Sequence, residues 1–169
     1  MQNPDILTSF LKKEIDGAWV PEPWGSRLVR EGNGRIFLDE RTLWPGGKFV
    51  TACVIVSTQF LKESPELVRR WLAAHVEVTR WIKDNPVEAK HLLNQEIARH
   101  MGKKISDQVL EDAWARLEIT YDPHADTLLA AADRAYDLGF LGTAKPDLKG
   151  LFDPTLLEKV LREDEAVQP

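Results

Sequence analysis

Residues 49–57 read Phe-Val-Thr-Ala-Cys-Val-Ile-Val-Ser, the longest strand candidate in the chain. The run is apolar almost throughout and rich in β-branched residues, which predicts a strand covered on both faces, as in a parallel sheet. Just upstream, Pro45-Gly46-Gly47 predicts a turn. Further back lie two shorter strand candidates, residues 35–39 and residues 15–20, the second ended by Pro21. Between them Pro23-Trp24 opens a helix predicted to run through Arg30 and to stop at Gly32-Asn33-Gly34. A short helix comes first, with Asn3 as its cap and Ile6, Leu7, Phe10 and Leu11 on one face.

Downstream of residue 57 the pattern is helical. One device recurs at five predicted helix starts, a capping residue followed by proline: Asn3-Pro4, Ser64-Pro65, Asn85-Pro86, Asp122-Pro123 and Asp153-Pro154. The helix over 65–83 is predicted to bury Leu67, Val68, Trp71, Leu72, His75, Val78 and Ile82. Later faces are Leu92, Leu93, Ile97 and His100; Val109, Leu110, Ala113, Trp114 and Leu117; Leu128, Leu129, Ala132 and Tyr136; and Leu156, Leu157, Val160 and Leu161. The expected fold class is therefore α/β, with few parallel strands and a predominantly helical C-terminal region. Three strand candidates, all in the first third, make too little sheet, because a parallel strand needs partners on its edges and helices on its faces. The missing strands are expected before Met1 or in another chain.

Composition narrows the function classes. A chain of 169 residues, 43% hydrophobic and 29% charged, is ordinary globular material. A formal charge of -5 supplies no basic field for phosphates, so no nucleic-acid partner is expected. The residues from Met1 onward lack the basic and apolar regions of a signal segment, and no stretch approaches the length of a membrane span. Cys53 excludes an internal disulfide and, inside its apolar run, is expected to be a buried small hydrophobe.

The chemistry concentrates in residues 15–24, Ile-Asp-Gly-Ala-Trp-Val-Pro-Glu-Pro-Trp. In open α/β sheets ligands bind just beyond the carboxyl ends of strands, and Glu22 and Trp24 occupy that place ahead of a helix whose N–H groups suit a small anion. Trp24 could form an apolar wall and Ser26 a donor, while Glu22, being negative, would orient a neighbouring donor. The alternative stands beside it: Trp24 packs in the core and Glu22 favours the helix start. Elsewhere, Gly46-Gly47-Lys48 lacks the rest of a phosphate loop and reads as a turn. Asp122-x-His124-x-Asp126 reads as helix capping in preference to a metal site. No nucleophile elbow or catalytic triad is present, so no catalytic residue, metal or cofactor is assigned.

Three runs together carry a family resemblance: IDGAWVPEPWGSRLV at 15–29, FLDERTLWPGGKFVTACVIVSTQFL at 37–61 and SPELVRRWLAAHVEVTRWIKDNPVEA at 64–89. With ITYDPHADTL, DLGFLG and DLKGLFDPTLLEKVL further on, the chain resembles the sulfonate/nitrate/taurine-type substrate-binding proteins of ABC importers. The resemblance implies the C-terminal half of a type II periplasmic-binding fold. Residues 1–40 would end the second lobe, 41–48 cross the hinge, 49–163 return to the first lobe, and 164–169 form a disordered tail. It also implies a ligand cleft near Glu22, Pro23, Trp24, Trp44 and Thr51, a small anionic ligand such as an aliphatic sulfonate, taurine or nitrate, and an ABC permease as partner. The full-length parent would be periplasmic or extracytoplasmic, and this chain a shortened product.

Two other classes are weighed. Enzymes of the same fold, such as thiamine-pyrimidine synthases, are expected to carry a Cys-rich metal motif, whereas this chain has one cysteine. An interaction module that self-associates through exposed strand edges is the third possibility.

Overall fold

Proline and glycine punctuate the chain as their backbone chemistry requires, and helices fill the intervals. The computed structural model describes residues 1–165 and contains eight α-helices over them. They are α1 (Asn3–Leu11), α2 (Trp24–Gly32), α3 (Thr58–Glu63), α4 (Pro65–Asp84), α5 (Pro86–Met101), α6 (Asp107–Trp114), α7 (Ala125–Asp137) and α8 (Thr155–Glu165). Two short 3-10 turns, Glu40–Leu43 and Pro45–Gly47, separate the first two helices from the rest.

The expected α/β sheet is not formed. Among the described residues there is no strand, so the assignment to a type II periplasmic-binding fold with parallel strands is corrected to an all-helical arrangement with long irregular connections. All three strand candidates, 15–20, 35–39 and 49–57, lie outside helices and have no ladder partner among the described residues. The physical reason is that β-propensity describes fit to a pleated, half-buried surface and stabilises nothing without neighbouring strands. The run at 49–57 is extended at both flanks, Lys48 (φ -112°, ψ 136°) and Ser57 (φ -67°, ψ 144°). Its apolar side chains face solvent, with Val54 at 66% and Ile55 at 87% exposure. Cys53 is exposed as well, against the expectation of a buried thiol. The strand edges expected to drive self-association are absent with the strands.

Two compact units divide the chain. The first joins Met1–Asp39 to Ile82–Ile119, and the second joins Glu40–Trp81 to the chain from Thr120 onward. In the first unit α1 packs on α2 and α2 on α6. Its buried side chains include Leu7, Leu28, Ala89, Val109, Leu110 and Ala113. Val109 is wholly excluded from solvent and is buried with Leu110 and Ala113, three of the five residues of the expected face, while Trp114 is half-buried and Leu117 exposed. Asn94 of α5 is buried too, and its amide pairs with the backbone of Ile105, donating to the carbonyl at 2.9 Å and accepting from the N–H at 3.0 Å. That pairing fixes the loop between α5 and α6 by satisfying both backbone groups of one residue. The α5 helix ends at Gly102, whose φ of 80° is the left-handed cap that glycine adopts without strain.

In the second unit the buried positions are Val76, Thr79, Thr127 and Val160. The inward face of α4 is rotated from the one expected. Val76 and Thr79 are buried, while Leu67, Trp71 and Val78 are about half exposed. Trp71 instead stacks on His75 one turn along, with ring centroids 5.1 Å apart. Arg69 of α4 pairs with Glu163 of α8 at 2.8 Å, and Arg80 of α4 pairs with Asp164 of α8. Of the expected 164–169 tail, residues 164 and 165 complete α8, and 166–169 lie outside the described residues.

Candidate functional site

The residues singled out in the sequence occupy two places, each described within its own unit. Glu22, Pro23 and Trp24 lie in the first unit, and Trp44 and Thr51 in the second.

In the first unit, Pro21-Glu22-Pro23 turns the chain into α2, with a cis peptide bond between Glu22 and Pro23. Pro23 is the N-cap and Trp24 the first helical residue. Proline suits this position because it has no N–H to satisfy and its φ is fixed near the helical value. The N–H groups that open the helix are already taken. Trp24 and Gly25 both donate to the Pro21 carbonyl, at 2.9 and 3.3 Å, and Ser26 donates to Glu22 Oε2 at 3.0 Å. The positive end of α2 thus holds the protein's own carboxylate where the sequence suggested an external anion. Gly25 permits this placement, since a Cβ there would stand 3.1 Å from Glu22 Oε1.

The other Glu22 oxygen faces a residue that the sequence did not single out. Arg116 Nε lies 2.9 Å from Glu22 Oε1, and Arg116 Nη2 donates to Asp39 Oδ2 at 3.0 Å. One guanidinium therefore links the start of α2, the end of the 35–39 segment and the stretch after α6. The Glu22 side chain is 10% exposed and that of Arg116 25%, so both ion pairs are only partly screened by water. Glu22 thus pairs with Arg116 across a long stretch of sequence. The sequence separation of Arg116 from Glu22 and Asp39 explains why no local pattern marked it.

Around this centre lie further charge pairs. Trp24 carries the Arg27 guanidinium over its ring at 4.7 Å, a cation–π contact. Arg27 also grips Glu31 through Nε and Nη2, at 2.7 and 3.0 Å, and this bond holds the Glu31 carboxyl below its ordinary value. Arg30 makes the same two-pronged contact with Asp112 of α6, which raises the arginine and lowers the carboxyl. Trp24 is half-buried, between the two sequence readings of ligand wall and core residue.

In the second unit, Trp44 is half-buried and built into an aromatic stack. It lies parallel to Phe49 with centroids 5.8 Å apart, carries Arg134 over its ring at 4.3 Å, and donates from Nε1 to Glu40 at 3.2 Å. Thr51 is exposed. Asp122 bonds back to the His124 backbone N–H at 2.9 Å, and α7 begins only at Ala125. The capping expected of Asp122 is not made: His124 is the N-cap of α7 and has no side-chain cap bond, while Asp122 closes a turn on the His124 N–H. No described helix is long and apolar enough to cross a membrane.

Against this geometry, comparison with known proteins adds a lineage. The model of the NMT1-like family matches residues 1–98, more than half of the 169. The chain belongs to the NMT1-like family. All five sequence-derived site residues fall inside the matched stretch, whereas Arg116 lies beyond it. This NMT1-like chain is also 24% identical over 166 residues to a protein of Bacillus subtilis (strain 168) named as a putative aliphatic sulfonates-binding protein. That similarity takes in 96% of the chain but 47% of the relative, so the chain spans about half the length of the relative it matches. No solved structure matches the chain.

Proposed function

We propose that this NMT1-like chain is part of the solute-binding component of an ABC importer, with a small organic anion of the aliphatic sulfonate class as its ligand. The observation that carries the reading is the similarity across 96% of the chain to a protein named for binding aliphatic sulfonates. Within the first unit, the half-buried Trp24 beside the Glu22–Arg116–Asp39 linkage supports it with an apolar ring and a fixed guanidinium, the two chemistries an alkylsulfonate needs. In this reading Glu22 orients Arg116, Pro23 sets the helix start, and Trp24 walls the alkyl group. The component works outside the cytoplasmic membrane and hands its ligand to a permease. It catalyses no reaction.

Because the chain spans 47% of its sulfonate-binding relative, its own affinity is expected to be modest, since a partial wall buries less of a ligand. Ligand-observed saturation-transfer NMR suits weak binding. Ethanesulfonate and taurine should receive saturation from the protein, and ethanol and ethylammonium should not. Equal transfer to all four, or to none, would overturn the sulfonate reading.

A further inference from the structure

We propose that Arg116 is the residue of the first unit that contacts the anion directly, with Glu22 and Asp39 as positioning residues that fix its guanidinium. The inference rests on the sulfonate reading and names the group that would carry it. The start of α2, where a helix would ordinarily offer N–H groups to an anion, is spent on Pro21 and Glu22, so the donor must be a side-chain cation. Four arginines of the first unit have described partners, and one of them, Arg99, pairs with Glu96 on its own helix. Arg27 and Arg30 each spend Nε and Nη2 on a single carboxylate, in the ordinary two-pronged pair. Arg116 is held differently: Nε by Glu22 and Nη2 by Asp39, two carboxylates from separate segments.

That arrangement fixes the plane of the guanidinium from two sides. Of its five N–H groups, one on Nη2 is spent in a hydrogen bond to Asp39, while Glu22 faces Nε as an ion-pair partner. The Nη1 pair and the second Nη2 hydrogen form a fork that matches two oxygens of a sulfonate. A quarter of the side chain is open to solvent, so a ligand can reach it. The two carboxylates also set a cost, since the local charge of +1 and twice -1 opposes a further anion. Asp39 therefore positions and repels at once, and this gives the proposal a sign that a purely structural role would not share. Neutralising Asp39 should strengthen sulfonate binding even while it loosens the fold.

The test is calorimetric titration of the 169-residue chain with ethanesulfonate at pH 7, for the unaltered protein, Arg116→Lys and Asp39→Asn, each with its urea midpoint recorded. Arg116→Lys keeps the charge but loses the planar fork, and binding should weaken about tenfold or more. Asp39→Asn should tighten binding about threefold, the size expected for removing one like charge about 6 Å away in a water-like medium. Unchanged affinity in Arg116→Lys, or unchanged or weaker affinity in Asp39→Asn, overturns the assignment while leaving the sulfonate reading in place. No binding by the unaltered protein overturns the sulfonate reading itself, and this inference with it.

Discussion

Glu22 performs two structural tasks with its two oxygens, and a double-mutant cycle separates them. Oε2 accepts from the buried Ser26 N–H at 3.0 Å, and Oε1 lies 2.9 Å from Arg116 Nε. Losing a helix-capping acceptor costs about 1 kcal/mol. The Glu22–Arg116 contact is an ion pair, and with Arg116 25% exposed it contributes about 1–1.5 kcal/mol after solvent screening. Glu22→Ala, which removes both, should then destabilise the first unit by about 2–3 kcal/mol. Glu22→Gln keeps a carbonyl oxygen for Ser26 and should cost only the pair, about 1–1.5 kcal/mol. Combined with Arg116→Met, the coupling energy should be about 1 kcal/mol. Urea unfolding at pH 7, followed by tryptophan fluorescence, measures all four corners. A coupling below about 0.3 kcal/mol, or a Glu22→Gln variant as unstable as Glu22→Ala, would refute the division of labour.

Three further outcomes are expected. Asn94→Ala strips the buried amide from the Ile105 backbone and should lower stability by about 2 kcal/mol in urea unfolding, with faster hydrogen exchange at the Ile105 amide; an unchanged midpoint contradicts the pairing. Glu31, Glu66, Asp112 and Asp153 are all held below their ordinary values, by bonds to Arg27, Arg69, Arg30 and Thr155 respectively. Carboxyls depressed in the folded state stabilise fully above their unfolded values and lose that contribution as pH falls through the folded ones, so the urea midpoint should hold near neutrality and fall below about pH 4. A midpoint that rises on acidification would contradict these pairs. Cys53, being exposed, should react with Ellman's reagent in the native state nearly as fast as in urea; native protection beyond about 100-fold would contradict its exposure.

Helix existence was legible because it depends on local chemistry. The stop at Gly32-Asn33-Gly34 is realised by Asn33 in the left-handed conformation, φ 53°, and helices do begin at Pro65 and Pro86, although Asn85 makes no side-chain cap bond. The helix start expected at Asp122-Pro123 falls two residues later, at Ala125, because Asp122 closes a turn on the His124 N–H first. Helix faces were less legible. The expected stripe of α4 centred on Trp71, His75 and Val78 and left out Val76, whereas the interior of the second unit takes Val76 and Thr79 and leaves Trp71 to stack on His75. Strands failed for a deeper reason. The β-branched run at 49–57 satisfies a local preference, but a strand is a relation between segments, and none pairs with it among the described residues. The site was half legible in the same sense. Glu22, Pro23 and Trp24 announce themselves through a proline-rich helix start, but Arg116 meets Glu22 only through tertiary packing and carries no local signature.

The central claim is that this NMT1-like chain takes a small sulfonate at the Glu22–Arg116 locus, and residue-resolved amide spectra test it most directly. The chain would be isotopically labelled and titrated with ethanesulfonate at constant pH and ionic strength, with chloride as the matched control. The account predicts saturable shifts concentrated at residues 22–27, Asp39 and Arg116, with the indole signal of Trp24 among the largest. Shifts that are absent, that chloride reproduces, or that spread evenly over the surface would contradict it.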